Sequence, residues 1–115
     1  MRHLEDALQA SVCCLLDLYE VRGDLIYFAV PNGGNRNRRE AGRLKRQGVR
    51  AGVADLVILF NERVVFVELK TEDGRQSKAQ KRFQSDAERF RHSYYVCRSL
   101  KGVQDVIDTE LKKGR

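Results

Sequence analysis

Residues 54–70 read ADLVILFNERVVFVELK. Two apolar blocks, 56–60 and 64–67, are rich in β-branched residues and flank the polar triplet Asn61-Glu62-Arg63. Short apolar runs separated by a turn-like triplet predict a hairpin of two buried strands. Yet Asp55 opens the first strand, and Glu68 and Lys70 close the second. With Asn61-Glu62 as a two-residue turn, Phe60 faces Arg63, and counting back along both strands puts Asp55 opposite Glu68. A four-residue loop between Leu59 and Val64 gives the same register, whereas an odd loop without a bulge would shift it by one and lose this pairing. Side chains alternate along a strand, so Glu68 and Lys70 share a face and Leu69 takes the other. Directly opposed strand residues have Cβ atoms roughly 4.5–5.5 Å apart. Two carboxylates that close repel, and one holds its proton unless positive charge intervenes. A divalent cation relieves that repulsion, and Lys70 relieves it in part.

The chain around this hairpin has 115 residues, enough for one domain (1–115) with a single core. Its 42% hydrophobic content fits a folded protein. No apolar run reaches the length of a membrane span, and the acidic N-terminal stretch lacks a signal-peptide pattern. Cys13, Cys14 and Cys97 are odd in number, with two adjacent and no CxxC spacing, which argues against a disulfide framework or a zinc site. They read as small core residues of a protein in a reducing cytoplasm. Twenty-two Lys and Arg against sixteen Asp and Glu leave a net charge of +6. Residues 36–50, RNRREAGRLKRQGVR, carry seven of those basic side chains and one acid, so the rest of the chain is neutral. Charge gathered in one segment is an electrostatic footprint for a polyanion, above all nucleic acid.

Outward from the hairpin, Leu4, Leu8, Val12, Leu15 and Tyr19 repeat at helical spacing and predict an amphipathic helix over 4–21, ending near Gly23. Residues 25–30 (LIYFAV) read as a strand stopped by Pro31-Asn32-Gly33-Gly34. The basic segment holds a short helix over 38–47 that stops at Gly48. Ser77 and Gln80 match a capping box, opening a helix with Ala79, Phe83, Ala87 and Phe90 on one face. Residues 93–98 form a last strand and 102–112 a last helix, with Val103, Val106, Ile107 and Leu111 inward. Both faces of the hairpin are apolar, so layers must cover both sides of the sheet. The expected fold is an α/β sandwich.

An aspartate, a strand-borne E-x-K and this element order resemble the PD-(D/E)xK nuclease superfamily, and more narrowly its VRR-NUC domains, the small stand-alone phage and prophage type. The matching positions are Glu5, Asn32-Gly33, residues 52–56 (GVADL), Glu68-Leu69-Lys70, and Ser77 with Gln80. Two positions depart from the family pattern: Ala54 replaces the proline usual before the aspartate, and Arg91-His92 replace the glycine usual before the fourth strand. The resemblance implies a restriction-endonuclease-like αβββαβ sandwich, with a mixed central sheet flanked by helices. It implies hydrolysis of DNA phosphodiesters with Mg²⁺ or Mn²⁺. Asp55, Glu68, Lys70 and Gln80 are then catalytic, and Glu5, Asp55, Glu68 and the Leu69 backbone carbonyl ligate the metal. It further implies a homodimer that cuts branched DNA such as four-way junctions.

The residue types suit that chemistry independently. Mg²⁺ and Mn²⁺ take hard oxygen ligands, one or two carboxylates plus water and phosphate oxygens. A Lys two residues from the second carboxylate, on its face, can orient the attacking water or stabilise charge on the phosphorus centre. The expected DNA contacts are Arg36, Arg38, Arg39, Arg43, Lys45, Arg46 and Arg50, with Lys78, Lys81 and Arg82 on the later helix. Each feature also has a plainer reading: a strand-end ion pair for Glu68 and Lys70, a turn cap for Asp55, a first-turn acid for Glu5, a capping box for Gln80, a solvated loop for the basic run. His3 and His92 have no ligand-spaced partner and read as surface residues. The alternative function is a DNA-binding module of the same fold without catalysis. Retention of Asp55, Glu68 and Lys70 together favours the enzyme.

Overall fold

The computed structural model describes residues 2–31 and 38–114, and side chains from Leu4 onward. Asn32, Gly33 and Arg36 therefore lie outside the described residues, as does the side chain of His3. The elements in chain order are α1 (Arg2–Val21), β1 (Ile26–Ala29), α2 (Arg38–Arg46), β2 (Leu56–Phe60), β3 (Arg63–Leu69), α3 (Lys78–Arg89), β4 (Ser93–Cys97) and α4 (Leu100–Lys113). This is the expected order. The sheet runs β1-β2-β3-β4, antiparallel across the first two pairs and parallel between β3 and β4. A parallel pair needs a crossover, and α3 supplies it.

The hairpin closes as a two-residue turn: Phe60 pairs with Arg63, and the register continues to Leu56 against Val67. Glu62 holds a left-handed conformation (φ 60°) to make that turn. Side-chain alternation then splits the strands between two faces. Leu56, Ile58, Phe60, Val65, Val67, Leu69 and Cys97 point to one side, where Val12, Leu16 and Tyr19 of α1 and Val103, Val106 and Ile107 of α4 close over them. The Tyr19 hydroxyl ties the two helices by donating to Asp108 Oδ1 at 3.0 Å. Phe66 and Tyr94 point to the other side, where Phe83 of α3 meets the Phe66 ring edge-on at 5.1 Å.

Three packing expectations need correction. Leu4 is 51% exposed while Leu16 is fully buried, because the inward stripe of α1 follows Leu8, Val12, Leu16 and Tyr19. Phe90 is 67% exposed: α3 ends at Arg89, so the ring falls on the cap and lies under the Arg89 guanidinium instead of in the core. Cys14 is exposed, while Cys97 is buried and its thiol is pushed up to about 11 by burial. At the hairpin end of the sheet, Glu110 is buried and accepts from the Tyr95 hydroxyl (2.6 Å) and Lys113 Nζ (2.9 Å), while Arg63 donates to its backbone carbonyl. Desolvation pushes the Glu110 carboxyl up, but these donors and the Lys113 and Arg63 charges outweigh it and hold the group below the ordinary range.

Gly52 sets where the loop before β2 meets α3. Its φ is +82°, and an added Cβ would overlap the backbone C and O of Ala79 and lie 2.8 Å from the Gln80 nitrogen. Backbone cannot yield as a side-chain tip can. Gly52→Ala should cost about 2–4 kcal/mol, from left-handed strain plus overpacking. A lowered urea midpoint at unchanged slope checks this; an unchanged midpoint would show that the loop does not seat on α3.

Candidate active site

The β2/β3 register carries on past its last ladder pair to bring Asp55 beside Glu68, at the end of the sheet away from the hairpin turn. The Leu69 N–H donates to Asp55 Oδ2 at 2.7 Å, which fixes one carboxylate against the strand that bears the other. On the far side of Asp55, its own carbonyl accepts from the Val30 N–H at 2.8 Å, at the end of β1. Asp55 is thus positioned from both neighbouring strands. The Lys70 N–H donates to the Cys97 carbonyl at 3.0 Å, so β4 holds the third residue.

Glu68 has no exposed surface. Its Oε1 accepts from the Tyr94 hydroxyl, while its Oε2 has no hydrogen-bond partner and faces Lys70 Nζ at 3.9 Å. The Lys70 side chain is only 11% exposed. A carboxylate oxygen buried without a donor is costly, and one lateral ammonium beyond hydrogen-bond distance does not satisfy it. The same shortage of positive charge shows at Asp55. Burial pushes its carboxyl above the ordinary range and the neighbouring Glu68 and Glu5 charges push it further, against the Leu69 N–H and Lys70. An electron-rich pair with an orphaned oxygen fits a hard divalent cation.

Glu5, in the first turn of α1, acts on Asp55 through its charge. Among the described residues, no group of three or more His, Cys, Asp or Glu side chains is gathered tightly enough to hold a metal ion. The site is therefore a pair of carboxylates with Lys70 beside them, and Glu5 adds to the field. Gln80 does close its capping box: its Oε1 accepts from the Ser77 N–H at 2.8 Å, and its own N–H donates to Ser77 Oγ at 3.2 Å. The Gly52 contact places this helix start against the loop that leads to Asp55. Arg38, Arg39, Arg43, Lys45, Arg46 and Arg50 are all exposed on α2 and the loop after it, as are Lys78, Lys81 and Arg82 on α3. His92 is exposed with its ring edge-on to Phe66.

Tyr94 is the site residue that sequence reasoning missed. It pairs with Phe66 across the parallel β3/β4 ladder, on the face and two residues short of Glu68. Burial and the bond to Glu68 push its phenol far up, so it stays a donor. A tyrosine in an apolar strand usually finds a partner for its hydroxyl, and that was the signal available.

The sequence profile of the VRR-NUC domain matches residues 23–101. The chain belongs to the VRR-NUC domain family. A solved structure described as a VRR_NUC domain protein shares the fold, with a TM-score of 0.74 at 22% identity over 94% of this chain and 88% of that one. A comparison with curated proteins gave no match. VRR-NUC domains are a nuclease family, so DNA is the implied partner, and nucleases of this kind generally depend on divalent metal.

The raised Asp55 carboxyl allows this candidate site to be tested without metal. Ionising a group whose folded pKa is raised costs stability. The cost is absent below the ordinary carboxylate value of 3.8, grows as pH rises through the raised folded value, and is full above it. Asp55→Asn keeps an acceptor for the Leu69 N–H and removes the charge. In metal-free buffer it should melt above wild type at neutral pH, with the gap closing as pH falls into the acid range. A variant that melts lower at neutral pH would mean that the pair is not charge-strained.

Proposed function

We propose that this chain is a divalent-metal-dependent DNA endonuclease that uses Mg²⁺ or Mn²⁺, acts on branched DNA such as four-way junctions, and works as a homodimer. The observation that carries the catalytic reading is the fully buried Glu68, with one oxygen unpartnered, beside Asp55 and Lys70 at one end of a largely apolar sheet. Branched substrates and dimerisation are supported by resemblance to small stand-alone VRR-NUC proteins. The same resemblance supports a bacterial cytoplasm and a phage or prophage origin, and no helix among the described residues is long and apolar enough to cross a membrane.

Asp55 and Glu68 would hold the cation, with Glu5 reinforcing the negative field and the Leu69 carbonyl as a further oxygen. When bound, the cation activates the phosphodiester as a Lewis acid and acidifies the attacking water. Tyr94 holds one oxygen of Glu68, leaving the other free for the metal. In hydrolysis the water oxygen joins phosphorus, one P–O ester bond breaks, and negative charge builds on the non-bridging oxygens. The Lys70 ammonium, shielded from solvent, is the group available to stabilise that charge or to orient the water. Gln80, whose carboxamide oxygen serves the capping box, has its NH₂ for a polar contact at the rim. A module that only bound DNA would have no need of a buried Glu68 paired with Asp55, since binding is served by the exposed cations.

Asp55→Ala and Glu68→Ala should each lower cleavage of a labelled junction by at least about 10³-fold, the several kcal/mol expected of a lost metal site. DNA affinity should persist. Lys70→Ala should lower turnover by roughly 10²–10³ with little change in binding. Full activity in either carboxylate variant, or in EDTA, would remove the proposed site.

The basic segment generates a separate expectation. Phosphate contacts position nucleic acid without reading bases. Replacing Arg38, Arg39 and Arg43 with Ala should weaken binding to all DNA and flatten the slope of log affinity against log salt by up to about 2.7, at roughly 0.9 per phosphate. Wild-type affinity and slope in this variant would move the DNA path to Lys78, Lys81 and Arg82.

A further inference from the structure

α2 leaves the body of the domain: none of its residues is buried. Its C-terminus is built by local rules. Gly48 takes a left-handed φ of +94°, its N–H donates to the Lys45 carbonyl, and the Val49 N–H donates to the Leu44 carbonyl, both at 3.0 Å. This double return is a Schellman cap, which folds the residue after the glycine back toward the last helical turn. Leu44 and Val49 are therefore presented together. They do not meet the sheet core; they line a cleft of about 950 Å³ whose far wall is Val30 and Pro31 at the end of β1. Val49 remains 47% exposed.

Two features say what this cleft suits. Its walls are mostly aliphatic, and the charged side chains along it are Lys45 and Arg50, with no acid among the described lining residues. It also abuts the carboxylate pair: Val30 is hydrogen-bonded to the Asp55 backbone, and the lining ends at Gly52 and Val53. A ligand that satisfies both is anionic and apolar at once. Paired duplex DNA offers phosphates and groove edges but keeps its base faces stacked inside. An unpaired strand offers the same phosphates with base faces free to bury. Aliphatic and proline side chains are the kind that insert against unstacked bases.

We infer that the cleft between α2 and the end of β1 holds unpaired nucleotides of the DNA strand, with Leu44, Val49, Val30 and Pro31 against the bases and Lys45 and Arg50 on the phosphates. This rests on the nuclease reading and adds a preference to it: among branched DNAs, one with an open strand beside the scissile bond fills the cleft, whereas a fully paired four-way junction leaves it empty.

Binding in EDTA tests this without any cleavage, so that a failure here and a failure of the nuclease reading are separate results. Fluorescence anisotropy would compare a blunt duplex with the same duplex carrying a single-stranded arm. Wild type should prefer the armed duplex by about tenfold, the equivalent of about 1.4 kcal/mol. The double variant Leu44→Ser, Val49→Ser should lose most of that preference while keeping blunt-duplex affinity, with circular dichroism confirming the fold. A 2-aminopurine in the arm next to the branch should change its emission on binding wild-type protein. No preference in wild type, a preference untouched by the double variant, an equal loss on both DNAs, or a silent 2-aminopurine would each overturn the inference.

Discussion

The Leu69 N–H to Asp55 bond at 2.7 Å is the constraint on which the site depends. It joins the residue before β2 to the last residue of β3, and it holds only in the register that sets Phe60 against Arg63. A slip of one residue would turn Glu68 and Lys70 into the apolar layer under α1 and α4 and bring Leu69 to the open face. The hairpin turn at one end of two strands thus decides which carboxylates meet at the other. Core packing enforces the choice, because Leu56, Ile58, Val65 and Val67 are each 1% exposed or less in this register.

The two faces of the sheet divide the work. The α1/α4 side buries most of the apolar surface and supplies stability. The α3 side is thinner, and it can therefore hold Glu68 and Tyr94 in a dry place while leaving Asp55 half-buried at the edge. Cost and use coincide here. An unpartnered buried oxygen and a carboxyl pushed above its ordinary range both work against folding, and both lie where cationic charge is wanted. The other buried acid, Glu110, also keeps one oxygen without a hydrogen bond, but its second oxygen has two donors and the Lys113 and Arg63 charges hold its carboxyl low. Among the described residues it has no second carboxylate beside it, whereas Glu68 has Asp55.

The segment between β1 and β2 is long for a connection between antiparallel neighbours, and it leaves the body to carry the charge. Its helix is polar nearly all round, which gives it little reason to pack and makes its cations accessible. On its return it is held close where Gly52 presses on the start of α3. That contact places the basic arm, the capped helix and Asp55 in one neighbourhood.

Sequence by itself determined the element order and, given an even-numbered hairpin loop, the register that opposes Asp55 to Glu68; the observed turn met that condition. These follow from local periodicity, turn chemistry and the two-residue repeat of a strand, which need no knowledge of distant residues. The Ser77/Gln80 capping box was legible for the same reason. Tertiary structure alone decided that Glu68 is wholly buried, that Tyr94 holds it, and that Gly52 meets Ala79, because each depends on which surfaces two remote elements bring together. It also decided against Leu4 and Phe90 as core residues: helical spacing says which way a side chain points, and only the neighbouring layer says whether anything is there to cover it.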